Sequence, residues 1–102
     1  MKHLTLIIHT NAQQGLADQL RDIEEVSGFT FCHVEGHGVE VESDPFLSAK
    51  DKVVGYTPRV RVDILLDDTN VDVVLTLLRE SENSIAGQGY YWVTPVETEG
   101  HL

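Results

Sequence analysis

The chain is poor in the residue types that mark the commoner specialised functions. One cysteine, Cys32, stands in 102 residues. That excludes an internal disulfide and a cysteine-rich zinc site. Lysine and arginine number seven against seventeen aspartates and glutamates, a formal net charge of −10. So few cations suit neither nucleic acid nor an anionic membrane surface. The balance favours cations, basic protein segments or simple solubility. No apolar run approaches the length of a membrane span. Lys2-His3 leads straight into a short alternating segment, with no visible signal peptide. A soluble, reducing, cytoplasmic setting is expected, without nucleic acid and without insertion into a membrane. Low-complexity segments are absent, and prolines number only three.

What is present suits one small domain spanning residues 1–102, with 41% hydrophobic residues. A core of that size is modest, so oligomerisation would add stability. Residues 3–9 alternate as a strand, with Leu4, Leu6 and Ile8 on one side and His3, Thr5, Ile7 and His9 on the other. Thr10 and Gln13 have the form of a capping box. Leu16, Leu20 and Ile23 then recur at helical spacing and predict a helix over 12–26 that Gly28 ends. Residues 29–37 read as a second strand. Residues 59–66 are the cleanest strand, with Val60, Val62, Ile64 and Leu66 facing one way and Arg59, Arg61, Asp63 and Leu65 the other. Thr69 with Asp72 starts a second helix whose stripe is Val71, Val74, Leu75 and Leu78. A glycine-containing loop at 84–89 precedes a last strand at 90–96, followed by a short acidic tail. The order predicts an α+β, ferredoxin-like βαββαβ fold, an antiparallel sheet with two helices on one face. The other face would be bare, and its mixture of apolar and polar residues suits contact with another subunit.

Between the second and third strands lies a connection, residues 36–58, longer than compact domains usually keep without a functional reason. It leaves a strand on which His33, Glu35 and His37 alternate. Two imidazoles and a carboxylate suit a divalent metal such as zinc, copper or nickel. On a regular strand, successive members of this set are roughly 6.5–7 Å apart, so a bend at Gly36 or a second subunit would have to complete the site. Glu40, Glu42 and Asp44 add acidity at the root of the connection. His3 and His9 read as structural or surface histidines, and Cys32 as a buried inert thiol. Asp67-Asp68 suits turn and capping roles. No nucleophile elbow or acid–base pair assembles, so an enzyme is not expected.

Several local motifs, in order, resemble those of PII-like signalling proteins. They are Gly28-Phe29-Thr30, Val34-Glu35-Gly36-His37-Gly38, Pro58-Arg59-Val60-Arg61-Val62-Asp63, and Ile85-Ala86-Gly87-Gln88-Gly89 followed by Tyr90-Tyr91-Trp92-Val93. The resemblance covers nearly the whole chain. It implies a homotrimer whose sheets face a common axis, and a regulatory role in which the long loop docks on a transporter or an enzyme. It also implies a nucleotide cleft near Thr30, Gly36, Gly87, Gln88 and Gly89. The chain departs from that pattern in charge. Tyr90 stands where a basic residue is expected, and Thr94 through Leu102 holds neither lysine nor arginine. Phosphate recognition rests largely on positive charge, so ATP is disfavoured as the effector. The acidic, histidine-containing character resembles instead the PII-like group associated with heavy-metal efflux and the CutA-type ion-tolerance proteins. The expectations are therefore a PII-like regulatory protein, a metal-binding protein of efflux or tolerance, and a nucleotide sensor with a degenerate site.

Overall fold

The computed structural model describes residues 1–38, 57–80 and 89–102. Among these, four strands form one antiparallel sheet: β1 (Lys2–His9), β2 (Thr30–Gly36), β3 (Thr57–Leu66) and β4 (Tyr90–Pro95). Their spatial order is β2-β3-β1-β4. Helix α1 (Gln13–Asp22) lies between β1 and β2 in the chain, and α2 (Val71–Glu80) follows β3. The fold is the expected ferredoxin-like βαββαβ.

The period-two pattern of the two central strands sets the register. Leu4 pairs with Ile64, Leu6 with Val62 and Ile8 with Val60. All six are 4% exposed or less. Leu16 and Leu20 of α1 and Val74 and Leu78 of α2 join them in one core cluster. A slip of one residue would carry every one of these strand side chains to the other face, so burial specifies the pairing strongly.

The helix boundaries differ from those the spacing predicts. The Thr10–Gln13 capping box does not form. Residues Thr10–Ala12 make a 3-10 turn instead, capped by His9, whose Nδ1 accepts from the Asn11 N–H at 3.2 Å. Helix α1 ends at Asp22, four residues before the predicted end, and Gly28 does not cap it. Ile23 swings to extended geometry (φ −88°, ψ 114°), and its N–H donates to the Leu20 carbonyl at 3.2 Å. That turn leaves the Ile23 side chain buried in the core, a gain that outweighs another helical turn. Thr69 likewise falls within a 3-10 turn, Asp68–Asn70, and α2 begins at Val71. Its four predicted core residues are all buried.

Strand β3 begins two residues earlier than expected, at Thr57, while β2 and β4 are slightly shorter. Most of the long connection, residues 39–56, lies outside the described residues, as do 81–88. Among the described residues no helix is long and apolar enough to cross a membrane.

Candidate functional site

Among the described residues the helices cover only one side of the sheet. On the other, alternation and register place side chains in cross-strand rows. Thr30, Asp63, Thr5 and Trp92 form one row. Cys32, Arg61, Ile7 and Tyr90 form the next. Leu65, His3 and Thr94 lie beyond the first row, and Val34, Arg59 and His9 beyond the second.

A hydrogen-bonded cluster occupies the middle of this face. His3 Nε2 lies 2.6 Å from Asp63 Oδ1. Thr5 Oγ1 donates to the same oxygen at 3.4 Å and lies 3.2 Å from His3 Nε2. Arg61 Nε donates to both Asp63 oxygens at 3.2 Å, and Arg61 Nη2 lies 3.2 Å from Oδ1. The Arg61 guanidinium carbon also sits 5.9 Å from the Trp92 ring centroid, within cation–π range. Trp92 in turn meets Tyr90, ring centroids 6.2 Å apart and tilted at 56°. Burial raises the affinity of the Asp63 carboxyl for its proton. The hydrogen bonds from His3 and Arg61, and the charge of Arg61, outweigh that and hold it below the usual carboxylate range.

The geometry limits what this cluster can do. A nucleophile relay uses both imidazole nitrogens, one toward the hydroxyl and one toward the carboxylate. Here the same atom, His3 Nε2, faces both Thr5 and Asp63. Thr5 is also wholly buried, so no substrate reaches its hydroxyl. What the cluster offers is a polar patch satisfied within itself, flanked by the exposed aromatic rings of Tyr90 and Trp92.

The proposed metal ligands are brought together only in part. His37 Nε2 and Glu35 Oε2 lie 3.4 Å apart, both largely exposed. His33 is opposite Val60, two positions from Glu35 and so roughly 6.5–7 Å along the strand. Among the described residues no group of three or more histidine, cysteine or acidic side chains is placed to hold a metal ion. Glu40, Glu42 and Asp44 lie outside the described residues. Cys32 is exposed rather than buried as expected, because β2 is an edge strand and, among the described residues, no helix covers the face Cys32 shares with Arg61.

The residues suggested for a nucleotide are spread out. Thr30 and Gly36 lie on β2, and Gly89 immediately precedes β4. Those strands are the two edges of the sheet, about 14 Å apart at three strand spacings. A single protomer therefore does not gather them. Gly87 and Gln88 lie outside the described residues. Gly36 has a packing role of its own, since a Cβ there would stand 2.8 Å from Arg59 Cγ.

Sequence reasoning placed His3, Thr5, Arg61 and Asp63 on the bare face but missed their convergence. The available signal was the antiparallel offset, which pairs Thr5 with Asp63 once Leu6 is set against Val62. Tyr91 tethers α2 to β4, accepting from Arg79 Nη2 at 2.9 Å with the guanidinium carbon 5.3 Å from its ring centroid.

Comparison with known proteins gives a family and similar solved structures. A family model described as "Protein of unknown function (DUF3240)" matches residues 1–102. The crystal structure of a DUF3240 family protein from Shewanella baltica OS155, at 2.40 Å resolution, superposes with a TM-score of 0.74. The two chains are 21% identical over 99% of this chain and 94% of that one. Likeness at that identity carries the fold and leaves function to be argued from the site.

Proposed function

The chain belongs to the DUF3240 family of proteins of unknown function, and on that premise we propose that it is a non-enzymatic, PII-like regulatory protein. Three copies join through the open sheet face into a cytoplasmic homotrimer. The connection spanning 36–58 is the arm that docks on a partner such as a transporter or an efflux component.

The observation that carries this proposal is the charge of the open face. In a chain with seventeen acidic residues, Asp63 is the only one at the described strand positions of that face, beside Arg59 and Arg61. Copies of a protein of net charge −10 repel one another over most of their surface, and least where acids are few. His3, Thr5, Asp63 and Arg61 already bond to one another, so covering them need not strand their shared polar atoms. Tyr90, Trp92 and Leu65 are 68%, 38% and 41% exposed, apolar area that association would remove from water.

Light scattering after size exclusion tests the assembly. A mass of three times the 11.4 kDa chain is expected for the wild type, and a monomer for Trp92→Asp. A wild-type monomer would refute the assembly. For the arm, residues 39–54 are replaced by a short glycine–serine turn. This variant is expected to keep the trimer mass but lose cross-links to the membrane partner in cells. Retained cross-links would refute the arm's role.

The His37–Glu35 contact at 3.4 Å favours a second reading, divalent-metal binding at the root of the same arm with His33 as a further ligand. The two readings are compatible, because metal bound there would bias the arm. Calorimetry with Zn²⁺, Cu²⁺ and Ni²⁺ tests it. Zinc affinity unchanged in the His33→Ala/His37→Ala double variant would remove this reading.

A further inference from the structure

Strand β4 is an edge of the sheet, and among the described residues it pairs only with β1. One bond fixes which way its backbone groups point. The Val96 N–H donates to the Met1 carbonyl at 3.2 Å, so in the antiparallel register Thr94, Trp92 and Tyr90 also turn their backbone groups to β1. Tyr91, Val93 and Pro95 turn theirs outward. Proline at an outward position costs the ladder no bond. The edge therefore presents the N–H groups of Tyr91 and Val93 and the carbonyls of Tyr91, Val93 and Pro95.

Proteins usually blunt such an edge with charged side chains, bulges or proline. The opposite edge, β2, carries Glu35. Strand β4 holds no charged residue, and its proline is the last residue. Tyr90, Tyr91 and Trp92 are 68%, 41% and 38% exposed. Alternation puts Tyr90 and Trp92 on the open face and Tyr91 on the helix side. A neighbour stacked on the open face, about 10 Å away, leaves Tyr91 uncovered, whereas a strand added in the plane of the sheet, about 4.8 Å from β4, lies beside all three.

We propose that the β4 edge is a docking site for an extended, basic segment of another protein, taken up as a fifth strand of the sheet. The inference goes beyond the trimer and the arm and does not depend on either. Charge selects the occupant. Among the described residues, the exposed acids that flank β4 are Glu80 at the end of α2 and Glu97 and Glu99 in the tail. Of the nearby cations, Arg79 is held by Tyr91, and Lys2, opposite Pro95, acts on the Asp68 carboxylate. A second copy would bring the same acids and a net charge of −10, which opposes self-pairing at this edge. A segment carrying lysine or arginine beside its apolar residues meets those acids with the opposite charge.

The probe is a synthetic peptide of about ten residues, the length of a strand, alternating valine and threonine between pairs of lysines. The same core between pairs of glutamates is the charge control. Calorimetry measures affinity, and amide hydrogen exchange locates the contact. The lysine peptide is expected to bind at micromolar concentration, at least about tenfold more tightly than the glutamate peptide. It is also expected to slow exchange of the Tyr91 and Val93 amides and not of those on β2. Val93→Pro removes an outward N–H and leaves the bonds to β1, and should weaken binding at least about tenfold. Val93→Ala keeps that N–H and should bind within about threefold of the wild type. Far-UV circular dichroism confirms that both variants are folded. If Val93→Pro does not fold, the lysine peptide N-methylated through its core takes its place, and its binding should be lost. No binding of the lysine peptide, equal binding of the glutamate peptide, unchanged exchange at Tyr91 and Val93, or equal affinity of Val93→Pro and Val93→Ala would each overturn the proposal. A mass that grows beyond the trimer with concentration in the wild type but not in Val93→Pro would give the edge to a second copy, and overturns it as well.

Discussion

Replacing Asp63 by asparagine keeps the shape of the side chain and removes its charge. The carboxylate meets His3 at 2.6 Å, Thr5 at 3.4 Å and Arg61 through Nε at 3.2 Å on both oxygens. Hydrogen bonds to charged groups contribute about 1.5–3 kcal/mol when well buried, whereas exposed ion pairs contribute about 0.2–1 kcal/mol. The Asp63, His3 and Arg61 side chains are 30%, 28% and 39% exposed, which places the cluster between those limits. A loss of about 1–2 kcal/mol is expected near neutral pH, or a melting temperature lower by roughly 5–12 °C for a domain of this size. The pH dependence has a definite sign. The folded-state affinity of Asp63 for its proton is depressed below the ordinary value of 3.8. Its contribution is therefore fully present above that value and is lost as pH falls through the lower folded-state value. Urea titrations of wild type and Asp63→Asn at one fixed protein concentration, from neutral pH down through the carboxylate range, measure the difference. It should be constant down to about pH 5 and shrink below about pH 4. A variant as stable as the wild type at neutral pH, or a difference undiminished in acid, would refute the reasoning.

Other perturbations probe separate parts of the argument. Leu20 is fully buried in the core, so Leu20→Ala should lower the urea-unfolding free energy by about 2–5 kcal/mol. A Cβ at Gly36 would meet Arg59 Cγ, part of the side-chain stem rather than its mobile end. Gly36→Ala should therefore cost about 1–3 kcal/mol in the same assay as β2 and β3 shift apart, and an unchanged midpoint would show that the strands absorb it freely. Tyr90 takes the place of a cation, and Thr94 through Leu102 holds neither lysine nor arginine. Calorimetry with ATP, ADP and AMP should accordingly show no binding at micromolar concentration, and tight ATP binding would revive the nucleotide-sensor alternative.

The parts of the fold legible in the chain are those where one period dominates. Strands β1 and β3 alternate cleanly, and the α2 stripe of Val71, Val74, Leu75 and Leu78 repeats at helical spacing. Local signals misled where a distant contact competed with them. Ile23 extends the helical spacing of Leu16 and Leu20 yet leaves the helix to fill the core. Thr10 and Gln13 form a local capping pattern, but the N-cap falls to His9. The alternation of His33, Glu35 and His37 marked a set of plausible ligands. The contact observed is between Glu35 and His37, because His37 lies past the last residue of β2 and is free of strand spacing.

Sequence alone determined the element order, the apolar face of each central strand and the acidity of the chain, because each is a property of neighbouring residues or of composition. Only tertiary structure decided that His3 and Asp63, sixty positions apart, share a hydrogen bond, and that Arg61 and Trp92 frame it. That meeting depends on the antiparallel register of β1 with β3 and β4. The register is set by packing six apolar side chains against two helices on the far side of the sheet, so the polar face is arranged by a core in which it takes no part.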